Sequence, residues 1–69
     1  MKLILGLGIT GLSVARFFFK NDISFRIADT RQEPPMLEVS KKEGLLNDAY
    51  FGDWNENLLI GISEVIISP

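Results

Sequence analysis

Three glycines, Gly6, Gly8 and Gly11, follow the apolar run Lys2-Leu3-Ile4-Leu5 and lead into a helical pattern that begins at Thr10. This GxGxxG spacing fits a strand, a tight turn and a helix start, and the next apolar run closes on an acid, Asp29, at roughly the 20-residue distance expected of a nucleotide-binding fingerprint. Each glycine has its own reason. Gly6 lets the chain leave the strand, Gly8 carries no side chain to hold a phosphate off the backbone, and Gly11 lets the helix approach the strand. The amides opening the helix lack intrahelical acceptors and sit in the positive end of the helix dipole, so an anion is the natural ligand. The plain alternative is that the glycines only shape a turn.

The rest of the chain reads as alternating strands and helices. Lys2 to Leu7 is a strand without polar alternation, as in a sheet covered on both faces. Leu12, Ala15 and Phe19 recur at helical spacing, with Val14 and Phe18 beside them, and predict a helix of about three turns ending near Asn21. Phe17, Phe18 and Phe19 rotate by about 100° per residue, so at least one leaves the core. Ser24 to Ala28 is a second strand, Asp29 to Pro35 a polar loop closed by Pro34-Pro35, and Met36 to Lys42 a short helical stretch. Ala49 to Gly52 is a third strand. Asp53, with Glu56 three residues on, predicts a capped helix from Trp54 to about Ile60 that Gly61 ends. Glu64 to Ser68 is a β-branched fourth strand before Pro69. Right-handed crossovers then give strand order 3-2-1-4, a Rossmann-like open parallel α/β sheet equal to a truncated half of a doubly wound fold.

Residues 1–69 make one domain near the lower size limit for a self-sufficient core. There is no cysteine and no histidine, which removes disulfides, thiolate metal sites and the commonest general base. A net charge of -2 with seven scattered basic residues argues against nucleic acid as a partner. No apolar run approaches membrane-spanning length and no signal-type segment precedes the first strand, so the expectation is a cytoplasmic protein without a membrane partner. No GxxxxGK[ST] loop occurs, and no metal ligand set is evident.

A dinucleotide spans both halves of a doubly wound sheet, and this chain supplies one. The expected ligand is therefore a nucleoside diphosphate, held where the glycine turn, the Asp29-Thr30-Arg31 loop and Ser68 meet at the carboxyl ends of the strands. Gly8, Ile9, Thr10 and Gly11 line the phosphate end of that crevice. Simpler roles stay open: Thr10 as a helix cap, Asp29 as a strand terminator, Arg31 as a solvated charge, Ser68 as the last residue of a buried strand.

Gly6-Leu7-Gly8-Ile9-Thr10-Gly11-Leu12-Ser13, Asp29-Thr30-Arg31 with Pro34-Pro35, Phe51-Gly52 and Ile66-Ile67-Ser68-Pro69 occur in the order found in the Mur ligase family, whose N-terminal domain the chain resembles almost from end to end. The resemblance implies a domain that binds the UDP part of UDP-N-acetylmuramoyl-L-alanine in an ATP-dependent ligase adding D-glutamate during peptidoglycan synthesis. It places the diphosphate at Ile9 and Thr10 and the uracil edge at Asp29 and Thr30, where a carboxylate can accept an imide N–H and a hydroxyl can donate to a carbonyl. ATP and Mg2+ are implied for the parent enzyme and no cofactor for these residues, so the chain alone is expected to be inactive. A competing reading is the NAD(P)-binding half of a dehydrogenase or potassium-channel regulatory protein, in which Asp29 contacts ribose. A third is a module that keeps the fold without a ligand. An apolar edge at Val65-Ile66-Ile67 raises the further expectation of self-association.

Overall fold

The computed structural model describes residues 1–67. Four strands, β1 (Lys2–Leu5), β2 (Phe25–Asp29), β3 (Ala49–Phe51) and β4 (Glu64–Ile67), form one sheet in the order β3-β2-β1-β4. Every neighbouring pair is parallel, with Ile4 opposite Ile27 and Ile66, and Asp29 opposite Phe51. The helices are α1 (Ile9–Lys20) and α2 (Leu37–Lys42), and a single 3-10 turn covers Glu56–Leu59.

Side-chain alternation along the strands sorts the core into two faces. On one face Ile4 and Ile27 pack with Leu12, Ala15 and Phe18 of α1, while Val39 of α2, Phe51 and Ile66 fill its margin. On the other, Leu3 and Ala28 meet Leu58 of the 3-10 turn, with Leu5 and Ile62 beside them. The crossovers on either side of β1 therefore pass over opposite faces of the sheet. The strand order reverses between β1 and β4, and in open α/β sheets that reversal opens a crevice beyond the carboxyl ends of the strands.

The elements depart from the sequence reading at their ends. β1 stops at Leu5 rather than Leu7, because Gly6 turns to a φ of 96°. β2 begins at Phe25 and carries Asp29 inside the strand. The helix predicted from Trp54 is instead the 3-10 turn, capped by Asn55 and not by Asp53: the Asn55 side chain accepts the Asn57 N–H at 2.8 Å. Between Gly52 (φ 109°) and Gly61 (φ 78°) the chain has room for a single turn once Asn55 is extended. Of the three phenylalanines, two face outward: Phe17 and Phe19 are exposed and Phe18 is buried.

Candidate functional site

Gly6 donates its N–H to the Ala28 carbonyl (2.8 Å), which fixes the start of the turn against β2. The N-cap of α1 is Gly8, a residue with no side chain to satisfy the opening amides, and Thr10 lies inside the helix as an exposed residue. The first intrahelical bond runs from the Leu12 N–H to the Gly8 carbonyl (2.9 Å). The Ile9, Thr10 and Gly11 amides precede it and have no intrahelical acceptor. Ile9 is 75% exposed, so this corner of the turn faces solvent.

Gly8 and Gly11 answer different needs. A Cβ on Gly11 would fall onto the Gly6 carbonyl oxygen, far closer than real atoms approach. Glycine there is a condition for seating α1 on the β1 turn. A Cβ on Gly8 would meet nothing within 4 Å among the described residues, and its φ of -99° suits any residue. The described residues make no steric demand for glycine at that position.

Leu7 holds the middle of the turn. Its side chain is fully buried, its N–H donates to Asp29 Oδ2 (2.8 Å), and its carbonyl accepts the Met36 N–H (3.2 Å). Asp29 is correspondingly occupied. Besides Leu7, its Oδ2 accepts Arg31 Nη2 at 2.7 Å, and its Oδ1 accepts the Arg31 backbone N–H and Nε, both at 2.9 Å. The Arg31 guanidinium is the chief cause that holds the Asp29 pKa down to about 2; burial opposes it, and the Leu7 and Arg31 amides reinforce it. Asp29 is buried and Arg31 about half exposed, so the pair closes one side of the crevice and still borders water.

A cavity of about 380 Å³ lies beside this pair, bordered by Gly6 at the turn, by Asp29, Thr30 and Arg31, by Tyr50 of β3 and by Trp54 in the loop after it. The structure thus brings the Asp29 loop and the beginning of the glycine turn to one hollow. Gly8, Ile9, Thr10 and Gly11 do not border the hollow; they open α1, two to five residues after Gly6. Ser68 lies outside the described residues.

Sequence reasoning missed three features of this region. Arg26 donates through Nη1 to the Leu58 (2.8 Å) and Ile60 (3.0 Å) carbonyls and through Nε to Asp48 (3.1 Å), clamping the 3-10 turn to the sheet. Gly52 donates to the Asp29 carbonyl (2.9 Å) and lies against the Gln32 side chain, joining the ends of β2 and β3. Trp54, read as a helix residue, sits in the loop on the cavity wall. Its one available signal was a large aromatic in a polar segment.

A parallel half-sheet with a glycine turn at its point of strand reversal defines a Rossmann-like α/β domain. The model of the Mur ligase MurD-like N-terminal domain matches residues 1–69, and the chain belongs to that family. It is 42% identical over 69 residues to the UDP-N-acetylmuramoylalanine–D-glutamate ligase of Paraburkholderia phymatum, covering 100% of this chain and 14% of that relative. The ligase of the same name from Burkholderia ambifaria is 40% identical over 70 residues, with 100% and 14% covered. That from Pseudomonas putida is 32% identical over 68 residues, with 99% and 15% covered. The chain spans about one seventh of the length of these relatives.

Proposed function

We infer that this domain binds the UDP part of UDP-N-acetylmuramoyl-L-alanine in a cytoplasmic ligase that adds D-glutamate to that precursor during peptidoglycan synthesis. The observation that carries the reading is Gly8. The described residues leave room for a side chain there, so the benefit of glycine is to whatever approaches from outside, and the neighbouring amides, which have no intrahelical acceptor, suit a diphosphate. In this reading the Ile9, Thr10 and Gly11 amides and the Thr10 hydroxyl donate to phosphate oxygens, and Asp29 and Thr30 read the uracil edge. Asp29 already accepts four hydrogen bonds, so taking an imide N–H requires Arg31 to release one carboxylate oxygen. Arg31 is exposed enough to turn toward the diphosphate. In this reading Ser68, outside the described residues, also belongs to the UDP site.

With no GxxxxGK[ST] loop in the sequence, ATP and magnesium chemistry is assigned to residues outside this chain, and no D-glutamate-dependent ADP release is expected from it. The test is a titration with UDP and, separately, with NAD, following the amide resonances of Gly8, Thr10 and Thr30. Saturable shifts at all three with UDP and none with NAD are expected. A response to NAD instead identifies a dinucleotide half-domain, and silence to both identifies a module without a nucleotide ligand; either result overturns the proposal.

A further inference from the structure

Trp54 is the only tryptophan in the chain and is 49% exposed, in a loop residue of no regular element. An aromatic ring left half in water forgoes part of the stabilisation that burial would bring. Among the described residues it stacks on no other ring. Its position gives the exposure a use: it borders the same 380 Å³ cavity as Gly6, Asp29, Thr30 and Arg31. The hollow is apolar at Leu5, Ala28 and Leu58 and aromatic at Tyr50 and Trp54, with hydrogen-bonding groups along the Asp29-Thr30-Arg31 side. Apolar walls with a few convergent polar groups are the usual form of a small-molecule pocket, and this volume lies within the usual range.

The wall is also braced. Arg26 lies 5.8 Å from the centre of the Tyr50 ring and binds the Leu58 and Ile60 carbonyls, so Tyr50 and Leu58 are both held by one partly buried guanidinium. Trp54 lies outside that clamp, four residues before Leu58.

We propose that Trp54 is the stacking platform for the nucleobase of the bound ligand, and so a specificity-determining residue for a planar heteroaromatic ring. This rests on the nucleotide-binding reading above. Gly6 borders both the hollow and the glycine turn, so a ligand with its diphosphate at the start of α1 has its base directed into the cavity. The edge of the base then faces the Asp29 loop, and one flat side lies on the indole.

The experiment measures UDP and inorganic pyrophosphate binding to the 69-residue chain and to Trp54→Ala and Trp54→Phe, using the Gly8 and Thr10 amide shifts, with indole fluorescence as a second readout in the unsubstituted chain. UDP is expected to quench the indole. Trp54→Ala is expected to weaken UDP by about tenfold, within the range seen when a base-stacking ring is removed, and Trp54→Phe by much less. Pyrophosphate, which has no base, is expected to bind all three forms alike. Equal UDP affinity in the unsubstituted chain and Trp54→Ala overturns the platform while leaving the function standing. Equal losses for UDP and pyrophosphate also overturn it, because they show a general disturbance of the fold. Failure of UDP to shift Gly8 and Thr10 in the unsubstituted chain overturns the function and the platform together.

Discussion

Gly8 and Gly11 separate by substitution what the glycine turn combines. Gly11→Ala forces a methyl onto the Gly6 carbonyl, and the turn or α1 must move; a loss of several kcal/mol is expected, about 3 or more, seen as a large fall in Tm or a failure to fold. Gly8→Ala meets open space at an ordinary φ, so its stability is expected to fall by no more than about 1 kcal/mol, the scale of an alanine at an N-cap, while UDP binding is lost. Calorimetry with a UDP titration on both variants checks the pair. Asp29 supplies a pH dependence. Its pKa is depressed from 3.8 to about 2, so its contribution is fully present above about pH 4 and disappears as pH falls toward 2. A shift of that size sets a ceiling of about 2.5 kcal/mol. The half-exposed Arg31 partner is screened by water, which lowers the expectation to about 1–2 kcal/mol. Asp29→Asn is expected to lose that amount at pH 7 and to flatten the acid limb between pH 4 and 2 in denaturant titrations.

Among the elements, β4 is the least covered. It pairs with β1 along one edge, its other edge has no partner strand among the described residues, and Val65 and Ile67 are 41% and 73% exposed. Open apolar edges template pairing with further strands, which is why edge strands commonly carry lysine. The chain is expected to self-associate through Val65–Ile67, giving a light-scattering mass above 7.7 kDa that rises with concentration, and Ile67→Lys is expected to return it to the monomer. A monomeric mass throughout the concentration series removes this expectation. The elements also show where sequence reading succeeds. Strand existence and order followed from short apolar runs, glycine-marked ends and the handedness of parallel crossovers. The segment after β3 was misread because Asp53 and Glu56 have the spacing of a capping box, whereas the cap is made by Asn55 through an i to i+2 bond with no such signature.

At the scale of the whole molecule, the convergence of the glycine turn with the Asp29 loop was legible because topology dictates it: parallel strands end on one side. The contacts that hold these parts were not legible. Arg26 to Leu58 spans 32 positions and Leu7 to Asp29 spans 22, and neither leaves a periodic trace in the sequence. The bond from the Leu7 amide to Asp29 means that the two ends of the crevice share one fastening. Cutting it at Asp29 frees the glycine turn as well as the corner that borders the cavity. A ligand seated at either end would lend rigidity to the other, so amide exchange at Leu7 should slow when pyrophosphate alone is bound at the start of α1.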